Sequence, residues 1–399
     1  MRNLLGLLLV ALVVLTTPTP AAASPWTLRQ GEVAVVAAFD YQWARREFLD
    51  SYSSRVFPLN GRYTAASMIL GARAGFTDRL ELEIQIPIKL VSYESDPVIL
   101  LGDDMSGIDM LQENVLDLSR TRRGIGDIWI TGRYNLLRNP LALAVETRLK
   151  TPTGYDPPEG TFGDRPRNSQ EFLDNVGTFV TPENISDDVA LGDGQVDLQL
   201  NFLMGASFRT RTFIRLDAGY NLRVRAGDQI IGSFKIGQAI GSKILVYADV
   251  SGGYTVEDGD VIGVSVAAID PRLPATEYGG LTNLRLREVR LERDFLSMAV
   301  GGIVRITDAV EMNIGYSRVL VGRNTSQVNG VYVSIGVRTN LLAQDEPEYT
   351  EEEEYEEEAA PDEAYDDAYP EDTAEPTVDP ALDPAPIDGL EDDESSDAL

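Results

Sequence analysis

Carboxylate, lysine and arginine side chains are the groups in this sequence that could carry polar chemistry, because the chain contains neither histidine nor cysteine. Their absence excludes Ser-His-Asp and Cys-His catalysis, the usual zinc sites and a disulfide-stapled secreted domain. We therefore predict a protein that is not an enzyme and that needs no cofactor and no metal ion. We also predict that it has no nucleic-acid partner.

Two glycine-aspartate strings, at residues 124–128 and 191–198, are the motifs that could hold a phosphate or a calcium ion. Neither string leads into a helix pattern, and neither has the ligand spacing of a calcium-binding loop. Both instead open segments with strand periodicity. The sequence therefore favours glycine turns that re-enter strands over ligand sites at both positions.

Charged and apolar residues alternate over residues 80–91 with a period of two, which is the repeat of a β-strand. Leucine and isoleucine side chains occupy one face, while Glu81, Glu83 and Lys89 occupy the other. An alternation of about ten residues is typical of a strand that separates lipid from a water-filled lumen. The same pattern recurs in residues 141–150 and 195–204.

Twelve segments carry strand periodicity, which predicts an all-β fold: a transmembrane antiparallel β-barrel of about twelve strands. They lie near residues 32–43, 63–76, 80–91, 126–136, 141–151, 194–208, 212–224, 229–240, 244–255, 295–307, 310–320 and 331–341. Short turns alternate with longer connections, the longest being residues 92–125, 152–193 and 256–294. In outer-membrane barrels the short turns are periplasmic, and an even strand number then predicts that both termini are periplasmic.

A soluble β-sandwich is the alternative fold for a chain with many short alternating strands. Aromatic residues near the strand ends, such as Phe39, Trp43 and Tyr254, suit the interfacial girdles of a membrane barrel and favour the barrel. Pro87 fits a closed barrel poorly, because it cannot donate a ladder hydrogen bond and a barrel has no edge strand. We therefore expect a bulge or a bend at Pro87.

Strand parity places a set of charged residues on the inner face of the predicted barrel. The candidates are Glu81, Glu83, Lys89, Asp127, Arg133, Glu146, Arg148, Lys150, Asp197, Arg215, Asp217, Arg223, Asp249, Arg305, Glu311 and Arg338. Positive and negative charges are interleaved, so the set lacks the single-sign ring of a strongly ion-selective pore. We expect most of these residues to brace the lumen through ion pairs and water, and some to contact a solute.

The two ends of the chain differ in composition from its middle. Residues 1–23 combine Arg2, a short apolar run and an alanine-rich stretch, which predicts a cleavable secretory signal. Residues 344–399 hold 25 acidic residues and no basic one. This charge predicts a disordered periplasmic tail that could attract divalent cations or a basic periplasmic partner. Residues 24–343 form the predicted barrel domain.

Strand starts and turns between residues 124 and 224 carry a family resemblance. The segments are Gly126-Asp127-Ile128, residues 133–136, residues 141–154 and residues 194–208. They resemble an outer-membrane channel family associated with the meta-cleavage pathway of phenol degradation, which is itself similar to fatty-acid and hydrocarbon channels. The resemblance implies a membrane barrel that admits small hydrophobic or aromatic solutes. The acidic tail departs from it, because such barrels usually end at the last strand.

Two functions remain open at this point. The first is an outer-membrane channel for passive uptake of small solutes, in contact with outer-membrane lipid. The second is a structural or docking barrel of the cell envelope, whose acidic tail binds cations or a basic partner. Conductance across a planar bilayer distinguishes a channel from a closed anchor.

Overall fold

The computed structural model of the chain describes residues 25–49, 52–99, 115–138, 141–162, 166, 168–175, 178, 189–268 and 284–342. The predicted signal segment, residues 1–23, and the predicted tail, residues 344–399, lie outside the described residues. Within these ranges no helix is both long enough and apolar enough to cross a membrane.

The structure is built almost entirely from β-strands. In chain order the first ten are β1 (Glu32–Ala44), β2 (Arg46–Phe48), β3 (Ser54–Val56), β4 (Arg62–Gly75), β5 (Leu80–Glu94), β6 (Val98–Ile99), β7 (Val115–Leu116), β8 (Arg120–Ile125), β9 (Ile128–Leu137) and β10 (Leu141–Thr151). The others are β11 (Asp197–Ser207), β12 (Thr212–Arg223), β13 (Gln229–Ile240), β14 (Ile244–Thr255), β15 (Val261–Ala268), β16 (Leu284–Arg290), β17 (Asp294–Arg305), β18 (Val310–Arg323), β19 (Thr325–Ser326) and β20 (Asn329–Asn340). A short helix, α1 (Ser169–Asp174), lies between β10 and β11.

Twelve of these strands form one closed antiparallel barrel. Their order is β4-β1-β20-β18-β17-β14-β13-β12-β11-β10-β9-β5, and β5 pairs with β4 to close the ring. The predicted all-β fold and the predicted strand number are confirmed, and the β-sandwich alternative is wrong. Each of the twelve predicted segments contains one barrel strand, with ends that differ by a few residues.

Strand β5 shows how the sequence produces a barrel wall. Leu82 and Ile84 are each 41% exposed, whereas Glu81 and Glu83 are 1% and 5% exposed. Successive side chains of a strand point to opposite faces, so the apolar residues cover the outside and the carboxylates lie inside. This polarity is the reverse of a soluble protein and is typical of a barrel surrounded by lipid.

The barrel wall changes partner at Pro87, where a bulge or bend was expected. Residues 80–85 of β5 pair with β9, and residues 88–93 pair with β8, with a register shift between the two ladders. At the break, the Gly126 amide donates to the Pro87 carbonyl at 2.8 Å. In an antiparallel ladder one residue's amide and carbonyl face the same neighbour. Proline is tolerated because its missing amide faces this break.

The two ends of the barrel differ in complexity. Short connections, such as residues 76–79 and 241–243, lie at one end, which we call the turn end. The opposite loop end contains structure that the sequence did not predict. It includes the hairpin β15–β16, the ladder of β2 with β3 and β19, the pair β6–β7, and α1. These elements lie in connections between barrel strands.

Candidate functional site

A buried ionic network lies inside the barrel near the turn end. The register of three adjacent strands places Arg133 opposite both Glu81 and Glu146. Arg133 Nη1 lies 2.5 Å from Glu81 Oε1, and Arg133 Nη2 lies 2.5 Å from Glu146 Oε2. Asn201 adds a hydrogen bond of 2.8 Å to the second Glu146 oxygen. Because all three charged side chains are at most 2% exposed, each depends on the others for neutralisation.

The N-terminal segment, residues 25–28, covers this network. The Leu28 amide donates to Glu81 Oε2 at 2.7 Å, and Asn135 Nδ2 donates to the Pro25 carbonyl at 2.6 Å. Gly205 lies against the Pro25 and Trp26 side chains, where any larger side chain would collide with them. The segment therefore lies against the inner wall and narrows the interior at the turn end. The sequence pattern does not predict that residues 25–28 lie inside the barrel.

A second ionic network lies inside the barrel towards the loop end. Lys150 Nζ contacts Asp193 Oδ1 at 2.5 Å and Asp197 Oδ2 at 2.6 Å, and Arg223 Nη2 contacts Asp193 at 2.9 Å. Burial alone would raise the pKa of Asp193, but the nearby Lys150 and Arg223 outweigh it and hold the pKa below its ordinary value. Two cations therefore stabilise an ionised Asp193.

Both glycine-aspartate strings contribute side chains to the interior, but only the second forms a turn that leads into a strand, as the sequence favours. In the first, residues 124–125 lie in β8 and residues 126–127 interrupt the wall before β9. The Tyr155 hydroxyl donates to Asp127, and the Gly194 amide donates to the Tyr155 oxygen at 2.8 Å. Gly194 has φ +68°, a left-handed conformation that glycine adopts without strain. Burial, followed by the hydrogen bond to Asp127, raises the pKa of Tyr155. Within the described ranges, no three acidic side chains are arranged to hold a metal ion.

Aromatic rings meet basic side chains at two places inside the barrel. Arg148 lies over the Trp129 ring at 4.5 Å from its centroid, and Lys235 lies over the Tyr247 ring at the same distance. The Tyr247 hydroxyl is also 2.8 Å from the Tyr332 hydroxyl. Cations over ring faces gain electrostatic stabilisation that an apolar wall would not give. This part of the interior can contact both polar and aromatic groups.

An apolar cluster lies at the loop end. It joins inward residues of the wall, such as Val91 and Tyr93, to Phe57, Leu118 and Phe162 from the connections. The Phe57 and Tyr93 rings pack edge to face with centroids 5.5 Å apart. Loop segments are thus anchored on the inner wall by hydrophobic packing. The interior therefore has an apolar region above its charged region.

The structure separates the sequence-predicted candidates into three groups. Buried side chains are Glu81, Glu83, Asp127, Arg133, Glu146, Lys150, Asp197, Arg215 and Arg223. Half-buried ones are Lys89, Arg148, Asp217 and Asp249. Exposed ones, at the turn end, are Arg305, Glu311 and Arg338. Glu81, Glu83, Arg133 and Glu146 meet in the first network, and Asp127, Lys150, Asp197 and Arg223 meet in the second. Arg215 pairs instead with Asp217 at 3.1 Å and with Asp249 at 3.7 Å, and the exposed residues join neither network.

Three residues that bind the network side chains or residues 25–28 are absent from the sequence-predicted candidates. Two are neutral amides, and the third lies in a turn. Asn135 and Asn201 share the inward parity of their strands, so parity would have found them if amides had been counted with charges. Asp193 lies in the second glycine-aspartate string, before the strand begins. A period-two pattern predicts the face of a residue only within a strand, so it could not predict where the Asp193 side chain points.

Several solved barrels resemble this chain in fold. An outer-membrane channel of Pseudomonas putida F1 gives a TM-score of 0.50 at 13% identity, covering 81% of this chain and 100% of that chain. The translocator domain of the autotransporter NalP from Neisseria meningitidis gives 0.39 at 10% identity, covering 77% and 88%. The Pseudomonas putida toluene transporter TodX gives 0.35 at 9% identity, covering 82% and 95%.

These likenesses concern the fold alone, because identity is 13% or lower. No protein-family model matches the chain, and no curated protein matches it. Membership of the phenol-pathway channel family therefore stays a prediction.

Proposed function

We propose that this protein is an outer-membrane channel through which small solutes, including hydrophobic or aromatic ones, cross by passive diffusion. The observation that carries the proposal is the polarity of the closed barrel, which is apolar outside and charged inside. Eight strands enclose an interior just wide enough for side chains, so twelve strands leave more space. The similar Pseudomonas putida barrel is itself described as an outer-membrane channel, which agrees with the proposal.

The aromatic rings of the interior support the hydrophobic or aromatic class of solute. The cluster around Phe57 and Tyr93 is buried and anchors the loops, so a solute that enters from this end passes those loops and then reaches the half-buried Trp129 ring. Rings and aliphatic groups gain free energy by leaving water for contact with such a ring. We further propose membership of the phenol-pathway channel family, whose solutes are of this class.

The same proposal includes the ends of the chain. Residues 1–23 direct export, residues 24–343 form the barrel, and residues 344–399 form a periplasmic tail. These assignments rest on composition and on the even number of barrel strands, because the two end segments lie outside the described residues.

A planar-bilayer recording on the mature full-length chain tests the channel. We expect conductance with little preference between cations and anions, because the inner charges are mixed in sign. A variant lacking residues 25–28 should conduct more, since this segment narrows the turn end. Arg338→Gln, an exposed change at the same end, is the matched control and should conduct as the parent does. A strong preference for cations or for anions would contradict the prediction that inner charges of mixed sign leave the pore unselective.

The structural or docking barrel is the second candidate. It is favoured by the inserted segment and by the fully buried Glu81–Arg133–Glu146 network, which together narrow one end. If folded parent and folded deletion variant are both silent in the bilayer, the channel proposal is wrong and the docking function is preferred. Its test is then binding of the tail to divalent cations or to a basic periplasmic protein.

A further inference from the structure

Three exposed arginines lie towards the loop end of neighbouring parts of the wall, on β4, β8 and just after β1. Arg45 directly follows β1, Arg62 begins β4, and Arg123 lies in β8. The register pairs Trp43 with Thr64, and its continuation sets Arg45 opposite Arg62. We call these three residues the outer arginine patch.

The patch lies on the outer face of the barrel. Arg123 pairs in register with Leu90, whose side chain is 49% exposed, and opposed residues of a ladder share one face. Arg62 has the strand parity of the exposed Leu70 on the same strand. These side chains therefore point away from the lumen and towards whatever surrounds the barrel.

Two arginines of the patch, Arg45 and Arg62, lie just beyond an aromatic pair that marks the edge of the apolar surface. Tyr41 and Trp43 stack with ring centroids 5.9 Å apart, and Tyr41 is 40% exposed on the outer face. Outward aromatic rings of membrane barrels sit at the boundary between hydrocarbon and headgroups. Arg45 is the next outward position after Trp43, so Arg45 and the opposed Arg62 lie at headgroup height. The register places Arg123 level with Tyr41, at the boundary itself.

Within the described part of the chain, the three guanidinium groups make no hydrogen bond or ion pair. Neighbouring arginines do: Arg122 contacts Asp156 at 2.6 Å. Glu94 faces Arg62 across the β4–β5 ladder without forming an ion pair. The patch thus keeps a net positive charge and open donor groups at a height where lipid phosphates lie.

We infer that the outer arginine patch binds the phosphate groups of an anionic lipid in the outer leaflet. This inference rests on the proposed outer-membrane location and concerns a surface separate from the lumen. Directly opposed residues lie about 5 Å apart, so Arg45 and Arg62 can hold one phosphate between them. Arg123 lies on the second strand over from Arg62 and four residues nearer the turn end, about 16 Å away along the wall, where it can hold a second phosphate. The planar guanidinium suits bidentate phosphate recognition.

The test is native mass spectrometry of the full-length protein in neutral detergent with bisphosphorylated lipid A as the probe. The triple variant Arg45→Gln, Arg62→Gln, Arg123→Gln should bind at least about tenfold more weakly, since each charge-assisted hydrogen bond contributes measurably. Arg225→Gln is the matched control, because this exposed loop-end arginine is already paired with Asp260 at 3.2 Å. It should bind as the parent does.

Three results would overturn the inference: equal binding by the triple variant, an equal loss in Arg225→Gln, or equal binding of lipid A stripped of its phosphates. Retained heat-modifiable mobility on gels establishes that each variant is folded. Bilayer conductance of the same preparations keeps the two proposals apart. A protein that does not conduct but binds lipid A through the patch contradicts the channel and supports the lipid site. A protein that conducts but does not bind lipid A supports the channel and contradicts the lipid site.

Discussion

At the scale of single residues, the interior is organised by charges that cannot be removed one at a time. Arg133 is 2% exposed between two carboxylates that are each 1% exposed. The cost of removing each charge from water is therefore offset by attraction to its partners. Such pairs contribute little net stability while intact, but breaking one leaves an uncompensated buried charge. This asymmetry makes the network testable.

Arg133→Met should lower the free energy of unfolding by about 3–5 kcal/mol, because Glu81 and Glu146 stay buried without a cation. Urea unfolding in lipid vesicles measures the change. Arg338→Met is the control, because the Arg338 side chain is 56% exposed beside Glu32, and a surface pair contributes at most about 1 kcal/mol. Adding Glu81→Gln and Glu146→Gln to Arg133→Met should restore part of the loss. Equal effects of the two arginine variants would contradict the network.

Asp193 gives the interior a defined response to acid. Its pKa is held below the ordinary value of about 3.9 by Lys150 and Arg223. The stabilisation is therefore complete above the unfolded pKa and is lost as pH falls through the lower folded pKa. Asp193→Asn should unfold at a lower temperature than the parent at pH 7, and the difference should shrink below about pH 4. Thermal unfolding across that range checks this, and a constant difference would refute it.

At the scale of elements, each strand specifies the barrel wall, because its side chains alternate between a face that must be apolar and a face that is polar. β5 meets lipid on one face and the charged lumen on the other, and it changes partner where Pro87 removes an amide. The proline is placed at the one break between the β8 and β9 ladders, so the rest of the strand keeps its hydrogen bonds.

Ile84→Arg should destabilise the barrel by about 2–4 kcal/mol if the site lies near the bilayer midplane, because the charge would face hydrocarbon. Val224→Arg is the control: Val224 is 75% exposed just after the end of β12, where the cost should be at most about 1 kcal/mol. Urea unfolding in vesicles measures both. A similar cost at the two positions would mean that Ile84 does not face lipid.

At the scale of the whole molecule, charge is divided unequally between the barrel and the C-terminal segment. The chain carries a net charge of −30, and residues 344–399 hold 25 acidic residues without one basic residue. Because carboxylates repel one another and apolar residues are few, the sequence predicts that this segment forms no packed core. The barrel domain needs no contribution from this segment to close its ring of strands.

Deleting residues 344–399 should leave the barrel folded, with unchanged heat-modifiable mobility and unchanged unfolding in urea. Ser395→Cys adds a test of topology, since an even strand number predicts a periplasmic tail. An impermeant thiol reagent should label this cysteine only after the outer membrane is opened. Labelling of intact cells would place the tail outside, and loss of folding on deletion would make it part of the barrel.

The twelve barrel segments, the parity of their faces and the exception at Pro87 can all be predicted from the amino-acid sequence. These are local properties: period-two alternation and a missing amide can be read from a dozen neighbouring residues. Even so, β8 was missed, because residues 120–125 are rich in arginine and lack the alternation. The hairpin β15–β16 lies within a long connection, and the sequence does not predict it.

Which inward charges meet cannot be predicted from the strand patterns and follows from long-range strand pairing. Arg133 contacts Glu81, 52 residues earlier in the chain, because the register between β5 and β9 aligns them. Such a register depends on the closure of the whole ring and not on any one strand. The same holds for residues 25–28, whose hydrogen bonds to Glu81 and Asn135 form only once the wall exists. Strand patterns specify which face a residue takes, and long-range pairing then selects its partner.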